Sequence, residues 1–415
     1  MFGNKNEFPD SDAYTGMSIQ VVPGYPLFLW LFRSIFGDGY IRIVSLAQNL
    51  LAAFASWFVV EELGRSLKCR QIVLNLGLII FIVPYVGTAF LSNSGLILSC
   101  ALLTEGITLP LYYLLLAFML KLLCDKGLSG YLGTGIVGGY LVLTRAQMFV
   151  PVIIIIIIGI IMAVRGGRKY LWIIQMLIIA VIYIGGTILY KANATGSSNT
   201  LGKATALTNL LCSVSPEDGY LFDGEEKIIF DTMMYKLKEG NYFLDSYKPI
   251  ERAVKIEEIH DDVKCDVLTS TMYQYVGDVK GIYEVDRQND ILAGYMDDYI
   301  YKLAPRHIGV IVYNTICLTI IGIIRTNAVN VFPINIFSFL MYLLFIVLWI
   351  KDIRKDKKYS LIAGITLLLV VTNALGVASC IMCLSRYMIY NMSLFYFVLL
   401  AMLCDLVFKK QDELN

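Results

Sequence analysis

Five ionisable residues border the apolar runs of this chain, and their types suit chemistry on a phosphate-bearing substrate. Asp10 and Asp12 stand in the opening stretch NEFPDSDAYTGMS. Glu105 starts the run in LLTEGITLPLYYLLLAFML, Arg145 interrupts two apolar runs in LVLTRAQMFVPVIIII, and Arg386 precedes another in LSRYMIYNMSLFYF. A carboxylate within reach of a hydroxyl can take or orient its proton. A guanidinium can grip a phosphate through two parallel N–H donors. Each residue also has an ordinary reading. Asp10 and Asp12 suit solvent or a helix N-cap. Glu105 suits the positive end of a helix dipole. Arg145 and Arg386 suit interfacial anchors whose stems lie along apolar surface.

The elements that must position them are membrane helices. The chain has 415 residues, of which 57% are hydrophobic and 16% charged. Soluble domains carry roughly 25% charged residues, so a soluble multi-domain reading is excluded. A net charge of +1 gives no reason to expect nucleic acid. The first residues lack the charged, apolar and small-residue pattern of a cleavable signal. Most of the nine cysteines lie in apolar runs and read as small buried hydrophobes. Cys380 and Cys383 form a CxxC without a second ligand pair nearby. Cys212 and Cys265 share the one large polar loop, where a disulfide between them stays open.

A span needs about 20 apolar residues. Nine runs qualify, near 41–63, 72–91, 106–123, 131–146, 147–164, 170–190, 330–350, 359–380 and 388–408. An arginine at mid-bilayer is costly, so Arg145 is expected where the chain turns at a membrane face. The basic connectors GRSLKCR, RGGRKY, KDIRKDKK and FKK fall on one side if residues 1–40 are outside. This gives an outer segment 1–40 with an interfacial helix over 25–37, an N-terminal bundle 41–190, an outer cap 191–329 and C-terminal helices 330–415. The apolar run 306–325 would break this parity if it crossed, so it is expected at the outer interface. The expectation is an all-α polytopic membrane protein in the plasma membrane, with about nine spans and one larger extracytoplasmic loop.

Four stretches, taken in order, carry a resemblance. PDSDAYTGMS followed by PGYPLFLWLFRSIFG is similar to the first outer loop of GT-C superfamily glycosyltransferases, more narrowly the dolichyl-phosphate-mannose-protein mannosyltransferase-like enzymes that include aminoarabinose transferases. LLTEGITLPLYYLLLAFML resembles their second acidic site, LTRAQMFVPV their helix–turn–helix, and LSRYMIYNMSLFYF the Arg-Tyr motif opening the last helix. YKLAPRHIGV more weakly resembles the segment returning to the membrane. The order and spacing, spread over nearly the whole chain, carry the likeness more than any one motif. In the family the acidic loop follows a first spanning helix. This chain opens inside the loop, so the expectation is a member lacking that helix.

The resemblance implies sugar transfer from a polyprenyl-phosphate donor to a glycan, lipid or protein acceptor, on the extracytoplasmic side. It implies Asp10, or Asp12 in a shifted register, as the acceptor-orienting base. It implies Glu105 beside the sugar or a divalent metal, and no other cofactor. Arg386, with Arg145 and Tyr387, would hold the lipid phosphate, and Tyr14 and Tyr25 would line the substrate. Two other classes stand beside this one. An O-antigen or capsule polymerase or ligase has similar spans, but uses arginine-rich outer loops where this loop is acidic. A transporter or flippase places its ionisable residues at mid-membrane, where this chain collects them at one face.

Overall fold

The computed structural model describes residues 11–91, 97–125, 127–168, 170–324, 332–355, 357–380 and 385–412. It is helical throughout, and its one extended pairing among the described residues is the isolated bridge Ser18–Thr195. A short helix α1 (Ser11–Thr15) leads into α2 (Gly24–Phe36) and α3 (Tyr40–Leu67). The bundle continues with α4 (Gln71–Leu91), α5 (Glu105–Cys124), α6 (Leu128–Thr144), α7 (Phe149–Arg165) and α8 (Tyr170–Asn193). The cap contains α9 (Thr200–Leu211), α10 (Gly224–Glu239), α11 (Pro249–Asp262), α12 (Ser270–Gln274) and α13 (Val285–Leu303), and it joins α14 (Ile308–Ile324). The chain closes with α15 (Phe332–Arg354), α16 (Ser360–Cys380), the single turn α17 (Ser385–Met388) and α18 (Met392–Asp412).

Seven to eight of these helices have the length and apolarity to cross a membrane, and two more, Gln71–Gly87 and Leu128–Thr144, are apolar but shorter. Each of the nine apolar runs in the sequence therefore forms a helix. Burial sorts them. The spanning window of α5 is 72% buried and that of α8 only 11%, so α5 is the hub and α8 lies on the apolar periphery of the bundle. The bundle core joins side chains from α3, α4, α5, α6, α7, α15, α16 and α18. Small residues let membrane helices approach closely, and α6 uses this: a methyl group on Gly130 would stand 2.8 Å from the backbone of Leu122 in α5.

The continuous helical stretch Gly24–Leu67 is not one straight span. Tyr25 and Gln48 touch at 3.4 Å although 23 residues separate them. In a straight helix they would stand about 35 Å apart. The chain reverses at Gly37–Gly39, where Gly37 takes φ +59°, a conformation glycine adopts without strain. The separate short helix expected over 25–37 is thus α2, folded back along α3.

The two ends of the bundle collect different segments. At one end lie α1, α2, the start of α5, Arg145 and α17. At the other, Lys121 pairs with Glu62 at 3.6 Å, Ser66 meets Cys124, Lys358 pairs with Asp405 at 2.7 Å, and Arg70 lies over the Phe408 ring. The basic connectors that the sequence assigned to one side share that second end.

The cap has its own core, which also takes in Ala374, Val377 and Ala378 at the end of α16. Arg252 anchors it, donating to Asn314 Oδ1 at 2.6 Å, Leu244 O at 2.5 Å and Ser213 Oγ at 3.0 Å. Asn314 lies midway along α14, so half of that apolar helix is built into the cap. α13 and α14 meet at 100°. Cys212 is buried and free, Cys265 is exposed and free, and so they form no disulfide. Burial pushes the Cys212 thiol up to about 12, which removes its reactivity at neutral pH. The Cys380–Cys383 pair lies outside the residues whose side chains are described.

Candidate functional site

The start of α5 and the end of α6 reach the same level of the bundle, and Arg145 joins them. Its backbone is extended between Thr144 and the turn Ala146–Met148, as expected for a charge that must leave an apolar helix. Nη2 donates to Glu105 Oε1 at 2.7 Å and Nε donates to Thr104 Oγ1 at 3.0 Å. The Thr104 hydroxyl donates in turn to Glu105 Oε2 at 3.0 Å. The Glu105 side chain is 2% exposed and the Arg145 side chain 14%. Such a pair persists in a low-dielectric setting only when hydrogen bonds satisfy its remaining groups. Thr104 supplies two of them.

The aromatic face of Tyr387 completes the junction, 4.8 Å from the Arg145 guanidinium carbon. The Tyr387 carbonyl accepts from Gln147 Nε2 at 3.2 Å and from Asn373 Nδ2 at 3.1 Å. Those two amides fix α17 against the turn before α7 and against α16, and α17 carries Arg386. The Arg386 side chain lies outside the described residues.

Tyr14 and Tyr25 form the adjoining layer. Their rings meet edge-on at 5.3 Å, and both pack with Leu102, Leu103 and Ile107 around the start of α5. The N-terminal segment is tied down there. Ser11 Oγ donates to Leu102 O at 3.1 Å and Tyr140 OH donates to Gly24 O at 2.8 Å. A Cβ on Gly24 would stand 2.7 Å from the carbonyl carbon of Leu143, so α2 rests directly on the backbone leading to Arg145.

Of the eight residues singled out from sequence, Glu105, Arg145 and Tyr387 make one cluster, with Tyr14 and Tyr25 beside it. Asp12 is exposed on α1, between buried Ser11 and Tyr14, and stays apart from the ion pair. Asp10 lies outside the described residues. The two oxygens of Glu105 accept from Arg145 and Thr104. Among the described residues no three His, Cys, Asp or Glu side chains group as metal ligands, and Glu105 with Asp12 does not make a donor set, so no step here is derived through a metal. Thr104, Gln147 and Gln48 were not singled out. Gln48 is fully buried, donates to Tyr25 OH and leaves its Oε1 without a partner. Polar residues inside apolar runs were the available signal for it.

The helices and this buried charged junction define a multi-pass membrane protein. No family model, curated protein or solved structure matches the chain.

Proposed function

We propose that the protein is a membrane glycosyltransferase that moves a sugar from a polyprenyl-phosphate carrier to an acceptor hydroxyl. The observation that carries this reading is the buried Arg145–Glu105 pair, set at one end of an apolar bundle beside α17 and roofed by the N-terminal segment. A lipid phosphate needs a cation held rigidly at the edge of an apolar groove. Arg145 is held on three sides by Glu105, Thr104 and the Tyr387 ring.

In the reaction the acceptor oxygen bonds the anomeric carbon. The bond from that carbon to the phosphate oxygen breaks, and the phosphate leaves with the electron pair. Positive charge fixed beforehand stabilises that departing anion without reorganisation. Glu105 serves as the positioning residue for Arg145 rather than the base, because its two oxygens accept from Arg145 at 2.7 Å and from Thr104 at 3.0 Å. The acceptor proton goes to a carboxylate of the N-terminal segment, Asp10 or Asp12. The basic connectors at the opposite end support an extracytoplasmic position for this junction at the plasma membrane, where such donors would meet their glycan, lipid or protein acceptors.

Native mass spectrometry of the detergent-purified protein with decaprenyl phosphate tests the reading. Wild type is expected to carry one bound lipid, and Arg145→Gln and Arg386→Ala to lose it. Equal binding by all three proteins, or none by wild type, removes the carrier site and the proposal with it.

A further inference from the structure

The cap holds a second concavity, away from the Arg145 junction. It encloses about 330 Å³ between α9, α13 and the helical segment 263–274, at the lower end of the roughly 300–1,000 Å³ typical of small-molecule sites. Ala204, Leu292 and Met296 give it an apolar floor. Thr269, Tyr273 and Asn289 bring hydroxyl and amide groups to the rim.

Two independent features mark it as a built site. Asn289 is only 7% exposed. Its Oδ1 accepts from Tyr273 OH, but its amide nitrogen makes no hydrogen bond within the described structure, although the residue lines the concavity. The amide donor is reached from the concavity and has no described protein acceptor, so it is available to a hydrogen-bond acceptor on a ligand. The second feature is the wall. Val263–Thr269 is wound as a π-helix, a rare form that gathers at functional sites. This segment supplies Lys264, Cys265 and Thr269 to the lining.

Charge narrows the ligand. Lys264 is the one charged side chain among the described lining residues, and Asp261 neutralises its ammonium at 2.8 Å. No carboxylate is among the described lining residues. A fully apolar chain would leave the Asn289 donor unmet. An apolar floor with a hydroxyl-and-amide rim and no net charge fits a neutral sugar ring, whose C–H face is apolar and whose edge carries hydroxyls.

We infer that this cap concavity binds a neutral saccharide, and, resting on the transferase reading above, that the saccharide belongs to the acceptor. Gln20 links the two places. Its Nε2 donates to Ser198 O at 2.7 Å, and its Oε1 accepts from the backbone of Thr200 at 2.9 Å and Leu201 at 3.0 Å, at the first turn of α9. The same N-terminal segment lays Ser11 and Tyr14 on the start of α5. One short stretch of chain therefore contacts both the acceptor pocket and the junction assigned to the donor.

The test is an array of neutral and acidic oligosaccharides probed with the full-length protein in nanodiscs, wild type beside Asn289→Asp and Thr269→Phe. Asn289→Asp keeps the acceptor for Tyr273 and removes the open donor. Thr269→Phe fills the rim from a half-buried position and stands as the second variant if the first lowers the melting temperature. Wild type is expected to bind neutral glycans, and each correctly folded variant to bind at least tenfold more weakly. No neutral glycan bound by wild type, equal binding by both variants, or binding confined to acidic glycans overturns the inference. Glycan binding without decaprenyl phosphate binding retires the transferase reading and keeps this site; the reverse retires this site alone.

Discussion

Glu105→Gln is the most informative single change, because it removes one charge from the buried pair and little else. The glutamine keeps the shape and one carbonyl acceptor, while Arg145 loses its only described carboxylate partner. Removing one member of a buried pair typically costs about 3–5 kcal/mol. Arg145 keeps the Thr104 hydroxyl and the Tyr387 ring, which places the expected loss near the lower figure, about 3 kcal/mol. An unfolding entropy of about 2.1 cal/mol/K per residue over 415 residues corresponds to roughly 0.9 kcal/mol per degree. The melting temperature in nanodiscs should therefore fall by about 3–4 °C. Adding Arg145→Met removes the uncompensated charge, and apolar replacement of a buried pair is often neutral. The double variant should thus melt closer to wild type than Glu105→Gln does, with a coupling of about 2–3 kcal/mol. Additive losses, or a single variant that melts like wild type, would show that the two side chains do not depend on each other.

Other outcomes follow from the same geometry. Gly24→Val pushes a side chain into the Leu143 backbone; it should detach α2 and expose the Tyr140 region to proteolysis, at a cost of about 1–3 kcal/mol, and a proteolytic pattern like wild type's would count against the packing. Burial of His260 in α11 lowers its affinity for protons, so the fold prefers the neutral ring. Stability should be full above the unfolded value of about 6.5 and fall as pH drops below it toward the depressed folded value. His260→Leu should flatten that slope in a pH series of melting curves, and an unchanged slope would acquit His260. An impermeant maleimide should reach Cys265 from the cap side and Cys124, exposed at the other end, from the opposite side of a sealed vesicle, with Cys212 unlabelled. Labelling of Cys265 and Cys124 from one side would refute the arrangement of the two ends.

Much of this was legible in the residues. Long apolar runs are the most direct signal a sequence gives of helices in a membrane, and the run 106–123 became Glu105–Cys124 almost unchanged. The placement of Arg145 at a turn was also readable, because the charge cannot stay in an apolar helix. The pairing of Arg145 with Glu105 was not, since it depends on two helices 40 residues apart ending at one height. The fold-back of α2 was hidden too: a composition reading sees only apolar residues on both sides of Gly37–Gly39, and the contact of Tyr25 with Gln48 exists only in three dimensions. Inside the cap, nothing in VKCDVLT announces a π-helix, because the extra residue per turn is imposed by packing rather than by local preference. Arg252 and Asn314 likewise looked like an ordinary surface charge and a polar break in an apolar run.

The order of the helices has a consequence for how the chain enters a membrane. On the orientation given by the basic connectors, α6 and α7 insert as a hairpin whose tip is Arg145, and that tip must cross the bilayer, against a barrier of about 2.5–3.5 kcal/mol for an arginine at its centre. Glu105 opens α5, the helix made just before the hairpin, so the carboxylate already waits on the far side when the arginine arrives. The counter-ion is synthesised first and delivered first. An insertion reporter on the α6–α7 hairpin should register fewer translocated tips when α5 is replaced by a polyleucine span, and equal efficiency would show that the hairpin crosses without help. On that orientation, the ion pair of the finished protein would also hold the hairpin tip in place once it had crossed.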